Sequence, residues 1–147
     1  MKRLATALFA GILLAGGFLA TPLATAGERE AESCLRARIW DGYNEDWAVR
    51  TATSTTLAQE EYRIYLVTLY AGNEYKVMAC ADDKATNIDL VLHDADGNVL
   101  KQDASENRQP ELLFKPDATS TYFVVVHATA LAEGGSKSGV GMAVTYR

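Results

Sequence analysis

The stretch Asn87 to Asp103 constrains this chain more than any other. Ile88, Leu90 and Leu92 alternate with Asp89, Val91 and His93. That is period two, the pattern of a strand with one face in a core. Asp94-Ala95-Asp96-Gly97-Asn98 follows, and Asp-Gly marks a tight turn because Gly accepts positive φ. Val99-Leu100 then begins a return strand. A chain with this hairpin at its centre must supply further strands to bury the alternating face.

It does so on both sides. Arg50 to Leu57 is rich in Thr and Ser, β-branched yet polar, which suits an edge strand. Glu61 to Tyr70 carries apolar residues on both faces, which predicts a central strand. Tyr75 to Cys80 returns after the Ala71-Gly72-Asn73-Glu74 turn, with Tyr75, Val77 and Ala79 on one face and Met78 and Cys80 on the other. Downstream lie a short strand at Glu111 to Lys115, a long one at Thr121 to Thr129, and a last one at Val140 to Tyr146. Leu131 to Gly139, with Gly134-Gly135-Ser136 and Ser138-Gly139, reads as a flexible loop. No helices intervene to cross over parallel strands. The expected fold is therefore mainly β, an antiparallel β-sandwich of about seven or eight strands, preceded by one α-helix.

That helix is predicted over 27–47, where Ala31, Leu35, Ile39, Tyr43 and Trp47 recur every four residues. Trp40, Tyr43 and Trp47 form an aromatic cluster, read as the seam between helix and sheet; the other reading is a sugar-stacking platform. Gly42 weakens the helix, which can therefore end or kink near Trp40-Asp41-Gly42.

Residues 1–26 read as a signal peptide. Lys2-Arg3 is a basic start, Leu4 to Ala20 is apolar, Pro22 breaks the run, and Ala24-Thr25-Ala26 is an A-x-A cleavage signal. The mature chain, 27–147, is then a single domain in the periplasm or outside the cell, without membrane insertion. Setting Lys2 and Arg3 aside leaves 12 basic side chains against 19 acidic ones, a net charge of −7. Such a balance argues against nucleic acid or an anionic membrane as partner. The two cysteines, Cys34 and Cys80, allow one intrachain pairing, and an exported chain favours it.

Y-L-V-T-L-Y-A-G-N-E-Y, then I-D-L-V-L-H-D-A-D-G-N-V-L, then T-Y-F-V-V-V resembles the bacterial pre-peptidase C-terminal domain, over roughly Glu60 to Tyr146. The resemblance implies a small jelly-roll-like β-sandwich, export, and an accessory or binding role. It implies no activity. The family pattern often has Asp where Asn87 stands; here only Asp89 remains.

Candidate chemistry is sparse. Asp94, Asp96 and Asn98 have the 1-3-5 spacing of a calcium loop, and their oxygens suit Ca²⁺. Yet Gly97 stands at position 4 rather than 6, and Ser105 rather than Glu at position 12. A plain Asp-Gly turn accounts for the same residues. Asp82, Asp83, Asp89 and Asp103 could add ligands if loops converge. His93 and His127 sit in strand patterns beside apolar residues, and no nucleophile elbow accompanies them. The expectation is no catalytic residue and no cofactor, calcium excepted. The chain reads as a non-catalytic exported binding module for an unknown protein, peptide or glycan. A structural or stress-related envelope protein and a small hydrolase are the alternatives.

Overall fold

The computed structural model describes residues 24–147. The apolar run predicted as a leader, Leu4 to Ala20, lies outside the described residues.

One helix, α1 (Ala26–Tyr43), precedes eight strands: β1 (Ala48–Leu57), β2 (Tyr62–Leu69), β3 (Tyr75–Ala81), β4 (Ala85–His93), β5 (Val99–Asp103), β6 (Glu111–Phe114), β7 (Ser120–Leu131) and β8 (Ser138–Tyr146). They form two antiparallel four-stranded sheets, β1-β8-β3-β6 and β2-β7-β4-β5. This pair of orders is the eight-stranded jelly roll. The β4–β5 hairpin lies at one edge of the second sheet, closed by the Asp94 to Asn98 turn with Gly97 at φ +87°.

Alternation explains which side chains meet. Val77, Ala79, Val140, Met142 and Val144 point from the first sheet toward Ile88, Leu90, Leu92, Val124 and Val126 of the second, and this is the main core. The opposite face of β3 and β8 presents Met78, Cys80 and Ala143. These meet Leu35, with Cys34 and Ile39 packed beside them, in a second core beneath α1. The molecule is thus a stack of helix, sheet and sheet. A disulfide joins Cys34 of α1 to Cys80 of β3 across the second core.

Three expectations are corrected by the structure. The helix ends at Tyr43, next to Gly42 where the sequence allowed an end, rather than reaching Trp47. A stripe repeating every four residues advances about 40° per step around an α-helix, because four residues make slightly more than one turn. By Tyr43 the stripe has left the sheet. Trp40 and Tyr43 are 69% and 67% exposed and stack on each other with centroids 6.0 Å apart. Only Trp47 forms the seam. The chain doubles back through Asp46 (φ 66°), and Trp47 is buried with Lys76 Nζ 4.7 Å and Arg147 Cζ 4.6 Å from its ring.

The second correction concerns β2. It is an edge strand, paired to β7 alone, not a central one. Its inner residues Val67 and Leu69 fill the core, while its apolar outer residues face away.

The third concerns Ser138 and Gly139. They open β8 and are buried, rather than belonging to a loop. α1 lies directly on them: a Cβ on Gly139 would overlap the Gly27 carbonyl and the Glu28 nitrogen, and one on Gly141 would come 2.5 Å from Leu35 Cδ1. The glycines of β8 are there for close approach.

Candidate functional site

The candidate site is the outer face of the β2-β7-β4-β5 sheet. Register places its side chains in rows. Tyr62, His127 and Asp89 form one; Ile64, Val125, Val91 and Gln102 the next; Leu66, Phe123, His93 and Val99 the third. The first sheet hides its outer face under α1, whereas among the described residues nothing covers this one. Tyr62, Ile64 and Leu66 are 58%, 47% and 67% exposed. Ile64, His93, Gly97, Phe123 and Val125 line a shallow, mostly apolar hollow of about 290 Å³. Edge strands are ordinarily blunted by charges, Pro or short length; β2 is eight residues long and, beside the single charge of Arg63, exposes Tyr62, Ile64 and Leu66 in one row.

The ends of this face are acidic. Glu60 and Asp89 lie at the end where β2 begins, Asp94 and Asp96 at the other. Glu60 Oε2 is 3.5 Å from His127 Nε2. His93 donates from Nδ1 to the Gly97 carbonyl at 3.1 Å. Each histidine is therefore held by its own neighbourhood.

The candidate calcium ligands serve the turn. Asp94 Oδ1 accepts from the backbone N–H of Asp96 (2.9 Å) and of Asn98 (2.8 Å), and its Oδ2 accepts from Asn98 Nδ2 (2.8 Å). The Asn98 side chain and backbone, with the Asp96 and Gly97 N–H groups, outweigh desolvation and hold the Asp94 carboxyl below its ordinary range. Asp103 is also held low. Burial pushes it up, but hydrogen bonds from Ser105 and from the Glu111 N–H, aided by the Arg38 charge, prevail. Asp82 and Asp94 lie at opposite ends of β4, and Asp89 is on the sheet face, so the loops do not bring these carboxylates together. Among the described residues no group of three His, Cys, Asp or Glu side chains is placed to hold a metal ion.

A carboxylate with a lowered folded-state value contributes stability above its unfolded value, near pH 4, and loses it as pH falls through the folded value. We expect Asp94→Asn to melt below the parent at pH 6 and the two melting curves to converge toward pH 2. Millimolar calcium is expected to leave both unchanged. A calcium-dependent rise in the parent that disappears in Asp94→Asn would reinstate the metal reading.

Among the described residues the serine, histidine and aspartate side chains do not assemble into a triad. Ser138 Oγ donates to Asp82 Oδ1 at 2.7 Å in a buried pair, but both histidines are on the outer face of the other sheet. The sequence marks Asp82 only as an auxiliary metal ligand. The signal that would have marked it is the spacing of Ser138-Gly139-Val140-Gly141, which demands a close neighbour for β8.

No family model matches the sequence, and no curated protein matches it with significance. Among solved structures, the fold is similar to a periplasmic lysozyme inhibitor of g-type lysozyme from Aeromonas hydrophila, with a TM-score of 0.49 and 14% identity over 68% of this chain and 88% of that one. At that level the likeness transfers neither activity nor partner.

Proposed function

We propose that the chain is an exported, non-catalytic binding module that docks a protein on the outer face of the β2-β7-β4-β5 sheet. The observation that carries this reading is the uncovered apolar ribbon Tyr62, Ile64 and Leu66 on an edge strand, continuous with Phe123, Val125 and Val91. Contiguous apolar surface rimmed by polar groups marks interaction sites in soluble proteins. The rim of Glu60, Asp89, Asp94 and Asp96, on a mature chain of net charge −7, fits a partner with aliphatic or aromatic anchors in a basic surround. The leader sequence and the Cys34–Cys80 bridge support export. The pre-peptidase C-terminal resemblance points to the same accessory role.

The test is affinity capture from envelope extract with the parent and an Ile64→Ser/Leu66→Ser variant, each captured protein then purified and titrated. A basic protein should bind the parent, weaken with added salt, and lose at least about tenfold in affinity to the double variant. The variant's melting temperature should stay within a degree or two, since these side chains are on the surface. Unchanged affinity in the double variant would reject this face.

A second reading has its own observation. The exposed Trp40–Tyr43 stack on α1 is a surface on which a sugar ring could lie. It predicts glycan binding that is lost in Trp40→Ala and indifferent to Leu66.

A further inference from the structure

We propose that the mature amino terminus is part of the fold: the α-ammonium released on Gly27 pairs with the buried carboxylate of Asp82. Asp82 is 1% exposed. Its Oδ1 accepts from Ser138 Oγ (2.7 Å) and the Lys84 N–H (3.1 Å), and its Oδ2 accepts from the Gly139 N–H (2.9 Å). All three donors are neutral. Among the described residues the ion pairs join Arg38 to Glu111, Lys76 to Glu45, His127 to Glu60 and Arg147 to Glu74; none reaches Asp82. A buried anion without a cation is costly, and proteins rarely keep one.

The missing cation has a source in the chain. Asp82 Oδ2 lies against the backbone of Gly27, so closely that a Cβ there would overlap it and would also come 3.1 Å from the Gly139 nitrogen that Oδ2 binds. A side chain at residue 27 would push the Asp82 carboxylate off its donors. Gly27 is also the residue that follows Ala24-Thr25-Ala26. Hydrolysis of the Ala26–Gly27 bond adds one water: its oxygen goes to the Ala26 carbonyl carbon, which departs as a carboxylate, and its two protons join the one already on the Gly27 nitrogen to make an ammonium. A recognition sequence for cleavage and a packing constraint thus converge on one residue, whose nitrogen is one bond from the carbon that packs on Asp82.

Two other effects oppose this outcome, which makes the sign of the experiment decisive. Before cleavage, Thr25 caps α1: its hydroxyl accepts from the Glu28 N–H (3.2 Å), and Glu28 accepts from the Thr25 N–H (2.6 Å). Cleavage removes that capping box. It also puts a positive charge at the positive end of the helix dipole. Capping and dipole alone make the longer chain the more stable one. Pairing with Asp82 makes the cleaved chain more stable.

The proposal rests on the export reading for the identity of the cleaved bond, and the experiment separates the two. Chains starting at Thr25 and at Gly27 are released from a fusion by a site-specific protease, and a third is acetylated at Gly27. Each is made with Asp82 and with Asp82→Asn. The free Gly27 chain should melt above the other two by about 4 °C or more, and the order should collapse or invert in Asp82→Asn. If Asp82→Asn does not fold, the acetylated chain alone decides. A Thr25 chain that melts as high as the Gly27 chain, or acetylation without effect, overturns the pairing. Intact mass of the exported protein should begin at Gly27; any other start overturns the processing step, whatever the melting series shows.

Discussion

Replacing Cys34 by Ser is expected to lower stability by roughly 2–4 kcal/mol. The bridge spans a sequence separation of 46, and in the chain-entropy model a loop of that size is worth about 4 kcal/mol through the unfolded state. The loss falls unevenly. The sheets keep their own core of Leu57, Ile88, Leu90, Val124, Val140 and Met142. α1 keeps a small patch centred on Leu35, Met78 and Ala143, with Arg38 donating to the Ala79 carbonyl and pairing with Glu111 at 2.7 Å. The helix should therefore lose hydrogen-exchange protection before any strand does. Denatured, unreduced protein should show no titratable thiol. Two reactive thiols there would mean that packing alone holds the helix.

Gly139→Ala should cost about 3 kcal/mol, at the upper end of what overpacking usually costs. The new methyl would meet the Gly27 carbonyl and the Glu28 nitrogen, which are backbone and cannot rotate aside. The first turn of α1 would have to lift, straining the Gly139 N–H bond to Asp82. Gly141→Ala is the internal control. Its methyl meets the end of the Leu35 side chain, 2.5 Å away, which can shift rotamer, so about 1 kcal/mol is expected. Urea unfolding of the two variants tests the ordering. Equal losses would mean that the helix does not sit as close to β8 as described.

The same residues show what the sequence could reveal. Alternation at Ile88, Leu90 and Leu92, and at Val124, Val126 and Ala128, reports burial directly, because period two is imposed by the backbone. The sandwich was legible from it. Edge position was not: β2 is apolar on both faces, and in isolation an edge strand with a sticky outer face reads the same as a buried central strand. The candidate site was hidden in that ambiguity. Nor could the pattern of β8 distinguish glycines that loosen a loop from glycines that admit a helix. Both are the same residue, and the difference lies in what approaches from elsewhere in the chain. Asp82 was obscured for a related reason. Its partners Ser138 and Gly139 are more than 50 positions away.

The first strand, β1, has a single sheet neighbour, and it is the last strand, β8. α1 rests on β8 as well, at Gly139 and Gly141. Any process that delivers this chain from its beginning, whether a ribosome or an export channel, presents the helix and β1 first and their common platform last. Until Ser138 to Tyr146 has emerged, Leu35, Leu57 and the Cys34 thiol have no finished surface to rest against. Such long-range closure makes folding slow compared with local pairing. The final strand acts as a completion signal: a nascent chain stalled before Ser138 carries every element of the helix layer and cannot assemble it.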